Sequence, residues 1–458
     1  MAAAGGTGIA QGILMTHVET RNLFLRLPAA PTGTARKGEC VGSLALDASI
    51  APAATAADWT AETPKRDVAR LPGRPKILLY SHDTFGLGNI RRTLVLAETL
   101  SAAYPDGAVL IVTGSPVIQS FRIPDGVDYI KLPSIDRVAA ERYEARFLRR
   151  WDEEVRSTRS QLLKQAVLGF APDLMVVDKR PGGIDGELLE CLEAARKGAR
   201  PPRLVLGMRD ILDSPERSHA VLEDSGSFDL IRRYYDEVWI YGDRKLFDAT
   251  EEYGFPNDIR RITRFCGYLG RAVPRVPSKQ GPKRVVVATG GGGDGSPMIA
   301  TYLEGLREMA EEVDFRTTVV LGPEMPGERR DELLGRYGHL ADVEFCDFDP
   351  EPLERYAQAN VVVSMAGYNT ICELLSVDRP AVLVPRFEPV QEQLIRARRL
   401  ARHGGFDVVE PGELRPRTLI EKVMRLLRRP DVPLWRPSMG ALPIIRARVA
   451  ALIETRER

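Results

Sequence analysis

Cysteine is scarce: the chain has five in 458 residues, Cys40, Cys191, Cys266, Cys346 and Cys372, with no C-x-x-C spacing and no even-numbered framework. That excludes a disulfide scaffold, and a reducing, cytoplasmic compartment is expected. Net charge is nearly absent as well, with 64 basic side chains against 63 acidic ones. Such a balance gives no field for nucleic acid or for an acidic membrane surface, although local Arg clusters survive the averaging. No apolar run approaches the ~18 residues of a membrane span. The first twenty residues lack the basic start of a signal peptide, so any membrane contact is expected to be peripheral. No Lys-Ser/Thr follows the glycine-rich segment, which argues against a P-loop kinase or ATPase.

A length of 458 residues exceeds what one hydrophobic core serves and predicts two domains of about 150 to 200 residues. Residues 1–73 are rich in Ala, Gly, Thr and Pro without a sustained period and end on Leu71-Pro72-Gly73. They are expected to form a disordered extension. From residue 74 onward short buried-strand patterns alternate with helical ones, the mark of a parallel α/β sheet. Pro274, Pro277, Gly281 and Pro282 interrupt the pattern, which restarts at Arg284. The expected architecture is α/β: two doubly wound Rossmann-like domains facing a cleft, residues 74–273 and 274–436, with a terminal helix in 437–458 returning toward the first. Between residues 139 and 168 the pattern predicts one long charged helix carrying Arg149, Arg150 and Trp151. It reads as a solvated face over a core stripe rather than a membrane-contact surface.

The most informative stretch is 361–397. Val361 to Ser364 reads as a buried strand, Ala366-Gly367-Tyr368-Asn369-Thr370 as a tight turn, and Ile371, Leu374 and Leu375 as one face of a helix. A glycine lets the backbone come close to a ligand, and the free N–H groups of a first helical turn seat an anion, most often phosphate. Glu373, one turn into the helix, is placed to reach a vicinal diol such as a ribose. Glu392 and Gln393, beyond the next strand, are placed to face the same ligand. Gly290 to Gly293, followed by Asp294-Gly295-Ser296, make a second anion-binding loop ahead of a helix. Asp347-Phe348-Asp349 has the spacing to hold Mg²⁺, but Pro350 and Pro352 favour a surface turn. No metal or other cofactor is expected. An ordinary strand, turn and helix of an α/β protein is the alternative reading of this spacing.

In the first half a strand at 76–80 delivers Ser81-His82-Asp83-Thr84-Phe85-Gly86-Leu87-Gly88-Asn89. Gly86 and Gly88 make a glycine loop that is not the G-x-G-x-x-G fingerprint. His82, at the strand end, is a candidate base; a hydrogen-bonded structural histidine is the other reading. Arg91 and Arg92 oppose the dipole of the helix they begin, which points to a phosphate or carboxylate partner. Two further strands empty into Asp178-Lys179 and Arg209-Asp210. Ligands of open parallel sheets bind beyond such carboxyl ends. Asp178, Lys179 and Arg209 are therefore candidate acceptor contacts and Asp210 a second candidate base, with loop-tying salt bridges as the alternative.

Ser364, Gly367, Thr370, Glu373, Pro380, Pro385, Gln393 and Ala397 resemble the C-terminal domain of glycosyltransferase family 28, which includes the N-acetylglucosaminyltransferase that completes the lipid-linked peptidoglycan precursor. The opening at 81–88 is similar to that of a bacterial group of predicted glycosyltransferases. The likeness covers residues 74–458, weakly in the first half. It implies the two-Rossmann GT-B fold, with the nucleotide diphosphate on Gly367, Tyr368, Asn369 and Thr370 and the ribose on Glu373. Phe345 and Cys346 would read the donor base through their backbone. Gly267 and Arg271 match a crossover motif that puts Arg271 near the diphosphate. Gly291, Gly292, Gly293, Asp294 and Gln393 complete the implied donor side; Gly86, Gly88, Asn89, Arg91, Asp178, Lys179 and Arg209 form the acceptor side. Family 28 ends its first glycine loop in a His where this chain has Asn89, which leaves His82 or Asp210 as the base. The implied activity is inverting transfer of a hexosyl-type sugar from a nucleotide-diphosphate donor, a UDP-sugar, to a lipid-linked or glycan acceptor. A sugar-nucleotide hydrolase or 2-epimerase of the same fold, and a non-catalytic sugar-nucleotide-binding protein, are the readings left open.

Overall fold

Runs such as Ile77-Leu78-Leu79-Tyr80 and Val361-Val362-Val363 are apolar at every position. A strand of that kind must be covered on both faces, as in a parallel sheet flanked by helices. The computed structural model describes residues 73–457 apart from 83–87, 140–141, 274–280, 350–351 and 430–434. The extension ending at residue 73 therefore lies, but for Gly73, outside the described residues, as do Gly86 and the linker prolines Pro274 and Pro277.

The first half runs β1 (Lys76–Ser81), α1 (Gly88–Ala103), β2 (Ala108–Thr113), β3 (Val127–Lys131), β4 (Ile135–Ala139), β5 (Arg142–Ala145) and α2 (Asp152–Phe170). It continues with β6 (Leu174–Asp178), α3 (Leu189–Lys197), β7 (Arg203–Arg209), α4 (Pro215–Asp224), α5 (Ser227–Tyr234), β8 (Glu237–Tyr241), α6 (Ala249–Glu252), α7 (Asn257–Ile262) and β9 (Thr263–Phe265). Seven strands form a parallel sheet in the order β3-β2-β1-β6-β7-β8-β9. Alternate residues of β1 face opposite layers: Ile77 and Leu79 join a cluster with Ile90, Leu96 and Leu100 of α1, while Leu78 and Tyr80 join Leu163 and Val167 of α2 and Leu192 of α3.

The second half runs β10 (Lys283–Ala288), α8 (Ser296–Glu308), β11 (Phe315–Val320), α9 (Gly327–Tyr337), β12 (Val343–Cys346), α10 (Leu353–Gln358) and β13 (Val361–Ser364). Then come α11 (Tyr368–Val377), β14 (Ala381–Leu383), α12 (Glu392–Ala401), β15 (Phe406–Val408), α13 (Pro416–Leu427) and α14 (Ala441–Glu457). Its six-stranded sheet has the order β12-β11-β10-β13-β14-β15, again parallel. The described residues fall within one compact unit. A single apolar cluster extends from α1 through Tyr268 and Tyr368 to Leu374 of α11 and Ile445 of α14, so the two sheets share buried surface.

One element departs from the sequence reading. Residues 139–168 are not one helix: β4 and β5 make an antiparallel hairpin and α2 starts only at Asp152. Ile135, Tyr143 and Ala145 bury against Val155 and Ile184 in a small core of their own, and that period-two burial overrides the helical propensity of the Glu, Arg and Leu residues around it. Phe147, Leu148 and Trp151, in the turn between hairpin and helix, are more than half exposed.

Candidate active site

Strand order places the ends that matter. In the first sheet the chain passes from β1 outward to β2 and β3 and then crosses to β6, so the order reverses between β1 and β6. Open α/β sheets bind ligands in the crevice beyond such a switch point. His82 leaves β1 there, and Asp178 ends β6. In the second sheet the reversal lies between β10 and β13, which are followed by the Gly290 loop and by Gly367 respectively.

His82 is buried, 6% exposed. Its Nδ1 lies 3.1 Å from the Asp178 carbonyl oxygen and 3.4 Å from Asp178 Oδ2, and its Nε2 lies 3.3 Å from Asn89 Nδ2. Arg92 Nη2 donates to Asn89 Oδ1 at 3.0 Å and to both Asp178 carboxylate oxygens at 2.7 Å. A guanidinium only donates, so the Asn89 oxygen must face Arg92 and its amide nitrogen must face His82. The lone pair of His82 is therefore on Nε2 and the ring proton on Nδ1, toward Asp178. Four side chains close a ring that fixes an amide orientation and a histidine tautomer together. Burial pushes the His82 pKa below 6.5 against the opposing pull of Asp178. Burial also works against ionising Asp178, but Arg92 and His82 outweigh it and hold the carboxyl well below its usual range.

Across the cleft, α11 begins at Tyr368 with Gly367 as its N-cap and no side-chain cap, so its first N–H groups are free for an anion. At φ −63° any residue would suit position 367, and no protein atom lies within 4 Å of where a Cβ would stand. The loop after β10 has a stricter need. Gly292 has φ +94°, and a Cβ there would come within 2.5 Å of the Leu321 carbonyl oxygen. Asn369 Nδ2 donates to Gly88 O at 2.9 Å, which brings the starts of α1 and α11 together. Two helix N-termini thus converge, with Arg91 between them and no acidic residue in either first turn. Arg91 Nη2 donates to Glu373 Oε1 at 2.7 Å, and Arg271 Nη2 is 4.0 Å from the same oxygen.

The remaining residues singled out from the sequence fall into two groups. Asp294 pairs with Arg386 at 2.8 Å, and Gln393 Oε1 accepts from the Arg386 backbone N–H at 3.2 Å, which keeps both on the donor side. Phe345 and Cys346 end β12, and Thr370 lies buried in the first turn of α11. Lys179, the residue after β6, lies in the left-handed region, φ +64°, its N–H bonded to Gly207 O; burial and the nearby Arg209 and Arg180 lower its pKa to about 7. Arg209 pairs with Glu392 at 2.5 Å. Asp210 lies apart from the His82 ring: it is fully buried, accepts from Ile211 N at 2.7 Å and from the Tyr268 hydroxyl, and faces Arg396 Nη2 at 3.4 Å. Asp347 and Asp349 face Arg330 and Arg355. The sequence reading missed Arg396. Its signal was available: an arginine at a core-facing helical position beside Ala397 and Leu400 needs a buried acid.

Comparison with known proteins bears on the second sheet first. Residues 285–441 match the glycosyltransferase family 28 C-terminal domain. Among curated relatives, the UDP-N-acetylglucosamine–N-acetylmuramyl-(pentapeptide) pyrophosphoryl-undecaprenol N-acetylglucosamine transferase of Mannheimia succiniciproducens is 31% identical over 156 residues, 34% of this chain and 42% of that protein. The chain thus matches less than half the length of this relative. Solved structures extend the likeness to both sheets. The glycosyltransferase of kitacinnamycin superposes with a TM-score of 0.54 at 19% identity, covering 84% of this chain and 100% of the other. A Listeria monocytogenes protein described as a UDP-N-acetylglucosamine 2-epimerase gives 0.55 at 12% identity, covering 84% and 98%. At these identities the likeness is one of fold, the two-Rossmann GT-B arrangement. The family 28 domain contains the Gly290 loop, the Gly367 turn and Glu373. The His82 ring lies outside it, on the other wall of the cleft.

Proposed function

We propose that the chain is a glycosyltransferase that moves a hexosyl-type sugar, with inversion, from a UDP-sugar to a lipid-linked acceptor. The observation that carries the reading is the ring of His82, Asp178, Arg92 and Asn89, which presents one neutral imidazole next to the uncapped start of α11. An acceptor hydroxyl that takes the place of the Asn89 amide gives its proton to His82 Nε2 while its oxygen attacks the anomeric carbon. The bond from that carbon to the diphosphate oxygen breaks, and the leaving diphosphate gathers on the α11 N–H groups and Arg271. Asp178 steadies the imidazolium. The base is assigned to His82 alone, because both oxygens of Asp210 are engaged elsewhere.

The choice of UDP and of a lipid-linked acceptor is supported by the name of the Mannheimia relative. Phe147, Leu148 and Trp151, exposed among Arg146, Arg149 and Arg150, support peripheral contact with a membrane that carries such an acceptor. The test is incubation with labelled UDP-N-acetylglucosamine and a bacterial lipid extract. Label should enter the lipid fraction, and His82→Ala should slow that entry by about 10²- to 10⁴-fold. Rapid release of free sugar without lipid would replace the reading by a hydrolase. Solvent exchange of the sugar C2 proton would replace it by an epimerase, and binding without turnover by a carrier.

A further inference from the structure

We infer that Arg91 is the residue by which this site distinguishes a nucleoside diphosphate from a nucleoside. The inference rests on the proposed donor site and concerns how that site is kept before the donor arrives. Glu373, the proposed ribose ligand, is 1% exposed, yet its carboxylate is only half used. Oε1 is held by Arg91 at 2.7 Å, with Arg271 at 4.0 Å, while the buried Oε2 has no hydrogen-bond partner. A vicinal diol has two hydroxyls to donate, and a contact that uses both carboxylate oxygens brings one of them to Oε1, where Arg91 already fills one lone-pair site. The ribose and Arg91 therefore crowd the same oxygen.

Charge decides which of them holds it. Arg91 stands in the first turn of α1, where a cation opposes the helix dipole, and the contact between Asn369 and Gly88 brings the positive end of α11 to the same place. Glu373 is the only carboxylate paired with Arg91 there among the described residues. A diphosphate bound at the α11 N-terminus reverses the sign of that field and offers Arg91 a charge-assisted partner. Arg91 then leaves Glu373 to the ribose and holds the diphosphate. A nucleoside without phosphates must break the Arg91–Glu373 pair with nothing in exchange, so the site rejects it.

Calorimetric titration of the full chain with UDP and with uridine tests this in wild type, Arg91→Ala, Arg91→Lys, Glu373→Gln and the Arg91→Ala/Glu373→Gln double variant. Arg91→Ala should weaken UDP by about tenfold or more and at the same time tighten uridine. Arg91→Lys should recover most of the UDP affinity, and the gain for uridine should vanish when Glu373 is Gln. A merely structural role would move both ligands in the same direction. If Arg91→Ala fails to fold, Arg91→Gln removes the charge while keeping a donor and puts the same question. Equal changes for both ligands, or none, in a wild-type background that binds UDP overturn this inference alone. A wild type that binds neither ligand overturns the donor-site reading and this inference with it.

Discussion

His82 serves as a base only while Nε2 is unprotonated, and its neighbours set the pH at which that ends. Burial lowers its pKa below 6.5 and Asp178 pulls it back up. The acid limb of kcat/KM should therefore fall below pH 6.5. Asp178→Asn removes the upward pull, so it should move that limb to still lower pH while slowing transfer; a limb that stays in place would detach the two residues. The same group also weakens the fold in acid. Its folded pKa lies below its unfolded value, so the unfolded chain binds the proton better and stability is lost as pH falls through about 6.5. From the sequence, His82 could be picked out because Asn89 takes no proton. The use of Asn89 could not: its amide donates to the histidine and fixes the tautomer, a fact that depends on Arg92 turning inward. The dipole of α1 pointed to a phosphate or carboxylate partner for Arg92, and its guanidinium, 2% exposed, is bonded to the Asp178 carboxylate. A local rule about charge at a helix end names the kind of partner but not which acid, here one 86 residues away.

At the scale of elements, strands such as β1, β2, β6, β8 and β10 were legible because four apolar residues in a row have few other uses, whereas β9 and β15, three residues each, gave no such run. The β4–β5 hairpin was not, since only Tyr143 and Ala145 on β5 mark its buried face and two positions do not make a period. The turn that the hairpin introduces has a consequence of its own. Phe147 and Trp151, 68% and 56% exposed, stand among exposed arginines, a composition suited to the interface of an anionic bilayer. Sedimentation with phosphatidylglycerol vesicles should carry the protein down at low salt, and Phe147→Ser/Trp151→Ser should leave it in solution. Equal sedimentation with uncharged phosphatidylcholine vesicles would remove the arginines from the account. The glycine loops give a second contrast. Gly292→Ala places a Cβ against the Leu321 carbonyl at a backbone angle that disfavours it, so it should lower Tm measurably, with a cost of about 1–3 kcal/mol. Gly367→Ala meets no protein atom. It should leave Tm within about 1 °C, since nothing in the fold is displaced, and yet weaken UDP about tenfold or more by crowding the anion seat.

The whole molecule depends on contacts between residues far apart in sequence, and these were the least legible of all. The helix α14 lies against α1, β6 and β7, with Arg448 paired to Glu237 and Arg203 donating to Thr455 O at 3.2 Å. Tyr268 stacks on Tyr368 at 5.6 Å between ring centres. Beneath that stack Asp210 and Arg396, both fully buried and 186 residues apart, join the end of β7 to α12. Taking two charges out of water is costly, so such a pair adds little over a well-packed apolar one, but removing one partner strands the other in a dry interior. Arg396→Met keeps most of the side-chain volume and leaves Asp210 with the Tyr268 hydroxyl and a backbone N–H. It should cost about 3–5 kcal/mol in a denaturant titration, whereas Asp210→Asn/Arg396→Met, with no charge left to strand, should recover most of the loss. If the pair only ties the two sheets together, the double variant should also keep its rate of sugar transfer and its acid limb. Restored stability with transfer still abolished would instead return Asp210 to the chemistry and displace His82 as the sole base.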